Sequence, residues 1–363
     1  MCYNLAMPHI FQFDSIENFR DLGGYPCAYG QTEPHIVFRS ATPANLSSAD
    51  LEEILALGIR SVIDLREEAS KKDYPSPYQG KDGLQVISLN VNGNGRIPKD
   101  YDDQISSYFE MVEDPESARK IFKAILRSPK PMLIHCNAGK DRTGMFVALL
   151  LLFNGVSLEE VNRDYLLSFE LLPKMAKEAR AKNLPPILID PTPEFLPDFM
   201  GRFLDRYGSF ADYCEAIGLS EDEFVGLSNM LGKQELSCGA VVFHDGRLLV
   251  EHMAKGHYSL PKGHKEKEDV DDYATAKREI KEETGLLVSF VPGFRMTTAY
   301  SPKPGCFKEV RWFIAETSLP EMKLQKEEVQ DAYWLKPDDA MMVLSHDDDR
   351  SVAMAACRFY LTD

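Results

Sequence analysis

Short apolar, β-favouring runs alternate with amphipathic stretches along the first two thirds of the chain. Ser61–Leu65 (SVIDL), Leu84–Val91 (LQVISLNV) and Met132–His135 (MLIH) predict strands. Helical patterns at Ser107–Val112, Ser117–Leu126 and Thr143–Phe153 separate or follow them. This alternation predicts an α/β fold with a mostly parallel sheet flanked by helices. Ser157 with Glu160 and Ser220 with Glu223 read as capping boxes. Ser47 with Asp50 opens a helix over Ala49–Leu57 that Gly58 ends. The proline-rich stretch Pro185–Pro197 predicts an extended or irregular crossing.

The texture changes near Gly232. Leu236–Phe243 (LSCGAVVF), the turn His244-Asp245-Gly246 and Arg247–His252 (RLLVEH) predict a β-hairpin. The expected division is therefore 1–232 and 233–363.

Composition narrows the classes. The 363 residues carry 41 Lys+Arg against 57 Asp+Glu, a net charge of -16. That balance argues against a bulk nucleic-acid or anionic-membrane binder. At 44% hydrophobic and 27% charged residues, a wholly disordered chain is excluded. The seven cysteines form no CxxC pair and are odd in number, which fits a reducing compartment. No basic-then-apolar leader is read in MCYNLAMPHIFQF, and the run Met145–Phe153 is far shorter than the ~20 residues a membrane span needs. A cytoplasmic location is expected.

The first chemical constellation is His135-Cys136-Asn137-Ala138-Gly139-Lys140-Asp141-Arg142-Thr143-Gly144. A strand leads in and an apolar helix leads out, so the loop ends at a helix N-terminus whose free N–H groups favour an anion. With six residues from Cys136 to Arg142, a curled loop can set the thiol below a phosphorus while the guanidinium grips two of its oxygens. The same groups would stabilise a negative sulfur.

These residues resemble the cysteine-dependent tyrosine/dual-specificity phosphatase superfamily, and most closely its bacterial branch with HCxxGKDRTG. The resemblance extends to Asn18–Gly24 (NFRDLGG), Phe38-Arg39-Ser40, Val62–Arg66 (VIDLR) and Asp164-Tyr165, over roughly residues 10–232. It implies that Cys136 attacks phosphorus, Arg142 stabilises the transition state and Thr143 assists thiolate departure, without metal. It maps the general acid to Asp141, with Asp100, Asp102 and Asp103 as fallbacks. Lys140 adds a cation suited to substrates with several phosphates, and Asn137, Ala138 and Gly139 line the phosphate. Asp64 and Arg66 read equally as a buried ion pair or as substrate contacts.

The second constellation is Gly263–Leu286, ending Arg278-Glu279-Ile280-Lys281-Glu282-Glu283-Thr284-Gly285-Leu286. On a helix, Glu279, Glu282 and Glu283 share one face, and such oxygen ligands favour Mg²⁺ or Mn²⁺. Arg278 stands four residues before Glu282 and can pair with and orient a glutamate.

This stretch resembles the Nudix box, Gx5Ex7REUxEExGU, over about residues 236–363. The resemblance implies an α/β/α sandwich with a mixed sheet, metal held by Glu279, Glu282 and Glu283, and Glu282 or Glu328 as base. Arg278 is assigned with the substrate-binding residues. One departure is evident: the first acidic position falls to Asp269 or to a displaced Glu268, and eight rather than seven residues separate Asp269 from Arg278. Lys255, Lys262, Lys265, Arg295, Lys303 and Arg311 are candidate phosphate cations. Tyr300 and Phe307 are candidates for stacking on a base or for the core.

The expected function is a bifunctional hydrolase. One domain would cleave a phosphomonoester of a protein, phosphoinositide or small metabolite. The other would cleave a diphosphate linkage, as in a nucleoside or dinucleoside polyphosphate. The alternative is a tyrosine or lipid phosphatase regulated by a non-catalytic, ligand-binding Nudix domain.

Overall fold

Three strands, Val37–Ala41, Met132–Cys136 and Ser61–Asp64, run parallel in the middle of a five-stranded sheet, and Gln85–Ser88 extends it on the Ser61–Asp64 side. Arg20–Asp21 closes the other edge antiparallel to Val37–Ala41. The register sets Ala41 beside Cys136 and Asp64 beside His135, so the chemistry-bearing residues sit at the strands' carboxyl ends. All five residues of Met132–Cys136 are buried, as a central parallel strand requires.

The computed structural model describes residues 9–43, 45–91 and 97–361. The N-terminal segment expected to lack a leader falls in part outside them. The chain separates into two compact units. One comprises Met1–Lys233 with Ser301–Phe307, and the other Gln234–Tyr300 with Lys308–Asp363.

Helices pack around the first sheet. Tyr101–Glu113, Pro115–Arg127 and Arg142–Phe153 appear where the pattern predicts them, and the first begins earlier because Asp100 caps it by accepting Asp103 N–H at 2.9 Å. Arg142–Phe153 is buried on nearly every side, which its almost unbroken apolar sequence demands. Val37–Ala41 was not predicted as a strand.

Of the two capping boxes, Ser220 and Glu223 form the reciprocal pair. Ser157 caps its helix, but the Glu160 carboxylate turns to Arg163 Nη1 at 2.7 Å instead of completing the box. The proline-rich crossing is irregular only in part. It holds the short 3₁₀ turn Pro186–Leu188 and then starts the helix Phe195–Tyr207, with Pro197 in its first turn, where no intrahelical N–H is needed.

The second unit carries a mixed seven-stranded sheet. Lys233–His244 and Arg247–Met253 form the predicted hairpin. Its turn residues Asp245 and Gly246 both have positive φ, which matches the twist of the paired strands. Val329–Leu335 and Tyr258–Ser259 pair with Arg247–Met253, and Lys262–His264 with Lys233–His244. The helix Asp272–Thr284 packs Ala276 and Ile280 against Cys238, Ala240, Leu249 and Phe313. On the other face, Trp312, Val250 and Leu248 pack with Val352 and Ala353 of the helix Asp347–Tyr360. This is the layered helix–sheet–helix arrangement expected of the second half.

Candidate active sites

The phosphate loop is held from behind by a buried polar lattice. Asp164 accepts Arg20 Nε at 2.7 Å and Arg39 Nη1 at 2.5 Å, and the Tyr25 hydroxyl donates to it at 2.8 Å. Arg39 in turn donates from Nη2 to the Gly139 carbonyl at 2.6 Å, and Asn18 Nδ2 donates to the Ala138 carbonyl at 2.9 Å. Burial opposes the charge on Asp164, yet the flanking guanidiniums hold its carboxyl well below the usual range. Burial pushes Arg39 down to about 10.

Gly139 has φ +65°, and a Cβ there would lie 2.0 Å from the Ser40 carbonyl oxygen. Only glycine fits this close approach of loop to strand. Thr42 N–H donates to the Cys136 and Asn137 carbonyls at 3.1 and 3.0 Å, fixing the start of the loop. The His135 ring lies 2.7 Å from the Thr42 hydroxyl, and burial brings its pKa down to about 4, so it is neutral at physiological pH.

Cys136 is buried at the end of its strand, and Arg142 opens the helix that follows. Arg142 Nη2 donates to Glu67 at 2.9 Å. Among the described residues Arg142 Nη1 is buried without a partner, and so is the Thr143 hydroxyl. A buried, unpaired guanidinium N–H at a helix N-terminus is complementary to a bound phosphate oxygen. Asp141 accepts a hydrogen bond from the Tyr108 hydroxyl, which sits 3.0 Å from that of Tyr165. Lys140 turns inward. Its Nζ donates to the Leu188 carbonyl at 2.8 Å and lies 4.4 Å from the Phe169 ring centroid.

Asp64 and Arg66 form the buried pair, with Nη2 2.7 Å from Oδ2, and Arg66 Nη1 is spent on the Tyr74 carbonyl. The fallback acids have structural tasks. Asp100 caps a helix, Asp102 pairs with Arg202 at 3.1 Å and Asp103 accepts Lys99 N–H at 2.8 Å.

In the second unit, Arg278 is a clasp. It donates to Asp269 at 3.2 and 3.0 Å, to the His264 carbonyl at 2.8 Å, to Glu279 at 2.9 Å and to Glu282 at 3.0 Å. Asp269 therefore does bind the box arginine, and Asp271 caps the helix by accepting Ala274 N–H at 2.7 Å. Its contacts with Arg278 hold the Asp269 carboxyl far below the usual range. Arg278 is thus held by protein partners in this structure.

Gly263 lies against the helix, and a Cβ there would meet Glu279 Oε2 at 1.9 Å. Glu279 is partly buried, and burial raises its pKa against the pull of Arg278. Glu283 is almost wholly buried. Burial, then the charge of Glu251, push its pKa well up. Glu251, on the strand Arg247–Met253, was not singled out in the sequence. It is raised chiefly by burial, with Glu328 and Glu279 adding to the effect.

Among the described residues no three His, Cys, Asp or Glu side chains already close on a point that could hold a metal ion. Arg278 draws Glu279 and Glu282 toward itself. The unpartnered oxygens of Glu251 and Glu283 nevertheless fit a hard cation.

Three of the candidate phosphate cations are occupied. Lys265, Arg295 and Arg311 gather on Asp272 at 2.9, 2.7 and 2.7 Å. Phe307 is buried, not free to stack on a base. No helix among the described residues is long and apolar enough to cross a membrane.

Comparison with known proteins gives a family match for each part of the chain. The family model described as "Tyrosine phosphatase family" matches residues 11–233, and that described as "NUDIX domain" matches residues 233–357. A Cupriavidus necator protein assigned provisionally to the tyrosine-protein phosphatases is 31% identical over 175 residues, covering 44% of this chain and 62% of the relative. The chain thus spans less than two thirds of that relative. The triple specificity protein phosphatase PtpB of Mycobacterium tuberculosis is 27% identical over 249 residues, covering 58% of this chain and 87% of PtpB. Among solved structures, an Ap4A hydrolase of C. elegans in a binary complex aligns with TM-score 0.33 and 23% identity, over 36% of this chain and 99% of its own. The chain belongs to the tyrosine phosphatase family and carries a NUDIX domain after its phosphatase segment.

Proposed function

We propose that the chain is a bifunctional hydrolase. Its first site removes a phosphomonoester through a phosphocysteine, and its second cleaves a diphosphate linkage with a divalent cation. The observation that carries the first reading is the unpaired, buried Nη1 of Arg142 at the end of the loop that Cys136 opens, a loop that Arg39 and Asn18 hold in shape.

In the first step the Cys136 sulfur attacks phosphorus, an S–P bond forms and the P–O ester bond breaks. Asp141 gives its proton to the leaving oxygen. Water then attacks the phosphocysteine, Asp141 takes a proton from it, and the thiolate leaves as inorganic phosphate forms. Arg142 donates to the phosphoryl oxygens in both transition states, and the Glu67 contact fixes the plane of its guanidinium. The Thr143 hydroxyl is available to donate to the departing sulfur. The inward Lys140 supports the field of the loop from below, which favours a single phosphate over a cluster of them.

At the second site Glu283 would hold Mg²⁺ or Mn²⁺, with Glu279 able to join it on leaving Arg278, and the ion when bound would activate water and screen the diphosphate charge. Glu282 and Glu328 are exposed carboxylates, and either would accept a proton from water. Arg278 keeps the loop closed on the helix. The substrate classes are a phosphorylated protein, phosphoinositide or small metabolite for the first site and a nucleoside or dinucleoside polyphosphate for the second.

The test is a substrate screen on the wild-type chain, Cys136→Ser and Glu283→Gln, each with and without Mg²⁺. Cys136→Ser should lose phosphomonoester hydrolysis alone, and Glu283→Gln should lose only the Mg²⁺-dependent activity. A Mg²⁺-dependent activity absent from the wild type, with ligands that change the phosphatase rate, would favour a regulatory NUDIX domain instead.

A further inference from the structure

Glu251 follows three buried apolar residues, Leu248, Leu249 and Val250, on a strand with neighbours on both sides. Side chains alternate between faces of a strand, so Glu251 shares the face of Leu249. Leu249 packs against Ala276 and Ile280 of the helix Asp272–Thr284, so this face looks onto the helix that carries Glu283.

Glu251 is 0% exposed and Glu283 2%. Among the described residues both carboxylate oxygens of Glu251 and Oε2 of Glu283 are buried with no hydrogen-bond partner. The charge of Glu251 acts directly on Glu283, and Glu279 and Glu328 act on both. Lys262 is the cation that acts on the pair, but its Nζ donates to the Ser259 hydroxyl. Isolated buried carboxylates are among the costliest groups a core can hold. A valine or leucine would suit this strand position better if packing were its task.

We propose that Glu251 and Glu283 together ligate a divalent cation, with Glu251 a ligand supplied by the sheet and not by the NUDIX box helix. This rests on the metal-dependent reading of the second site and extends it. Two carboxylates suffice because Mg²⁺ and Mn²⁺ keep several waters and commonly take only one or two protein carboxylates. Arg278 leaves this pair free while it holds Glu279 and Glu282.

The experiment titrates Mn²⁺ alone into the full chain, reading free Mn²⁺ by electron paramagnetic resonance and the melting temperature in EDTA and in Mn²⁺. For Glu251→Gln the Mn²⁺ affinity should fall about tenfold or more. Its melting temperature in EDTA should equal or exceed that of the wild type, because a buried carboxyl without a partner is gone, while the rise on adding Mn²⁺ shrinks. If Glu251→Gln fails to fold, Glu251→Asp keeps the charge with a shorter reach and should show the same loss of affinity. Glu321→Gln, at an exposed carboxylate outside the site, is the comparison and should bind Mn²⁺ within twofold of the wild type. Mn²⁺ affinity within twofold of wild type in the Glu251 variants overturns the inference while leaving a metal-dependent site intact. A wild-type chain that neither binds Mn²⁺ nor cleaves any diphosphate overturns the metal reading itself.

Discussion

Replacing Asp164 by asparagine tests the polar lattice beneath the phosphate loop. Asp164 is 1% exposed and lies between two equally buried guanidiniums. Asparagine keeps the shape and one acceptor, enough for Arg20 Nε or the Tyr25 hydroxyl. Its amide group then faces the donor Arg39 Nη1, where the carboxylate sat at 2.5 Å. Removing one partner of a buried ion pair costs about 3–5 kcal/mol. Arg20 retains the Asp164 carbonyl at 2.8 Å and the Ser168 hydroxyl at 3.0 Å, so the loss concentrates at Arg39 and about 3–4 kcal/mol is expected. At about 2–4 °C per kcal/mol for a domain of this size, the melting temperature should drop by roughly 6–16 °C.

The assay is calorimetry or urea unfolding at pH 7, repeated in acid. The folded carboxyl titrates below its unfolded value, so its stabilisation is full above the ordinary carboxylate range and lost as pH falls through the folded value. The gap between wild type and variant should therefore narrow below about pH 4. Because Arg39 also holds the Gly139 carbonyl, phosphatase turnover should fall even where the variant is folded. A loss under about 1 kcal/mol at pH 7, or a gap unchanged in acid, would refute the reasoning.

Two further outcomes are expected. Gly263→Ala forces the Glu279 carboxylate aside from a clash at 1.9 Å; since that group is the end of a flexible side chain, the fold should survive, with diphosphate cleavage reduced and phosphatase activity retained. A matched loss of both activities would contradict the separation of the sites. His135 stays neutral in the folded chain down to about 4, whereas the unfolded histidine protonates near ~6.5. The unfolded state then binds more protons in this window, so stability should fall from about pH 6.5 toward 4, and His135→Gln should lessen that slope in urea midpoints.

Local signals carried much of the architecture. The central strand, the loop and the helix of the phosphatase site are contiguous in sequence, so spacing and the family resemblance together pointed to Cys136 and Arg142. The NUDIX box helix was legible for the same reason, its three glutamates being set by helical period. What escaped depends on contacts distant along the chain. Tyr108 meets Asp141, and Glu67 meets Arg142, only after the sheet assembles. The strand Val37–Ala41 hides behind Arg39, a charge that is buried because Asp164 answers it. Lys140 looked like a substrate cation because nothing in its own motif shows that Leu188 and Phe169 cover it. Glu251 did leave a signal: a lone acid continuing the apolar run Leu248–Val250 marks a buried carboxylate in want of a partner.

The central claim is that Cys136 carries the phosphoryl group. Asp141→Asn should form the phosphoenzyme and hydrolyse it slowly. The variant would be mixed with p-nitrophenyl phosphate, quenched in acid, digested and mapped by mass spectrometry. The account predicts one phosphate on the peptide containing Cys136, absent when Cys136→Ser is added. Turnover of the wild type with no phosphate ever trapped at Cys136, or turnover surviving in Cys136→Ser, would contradict it.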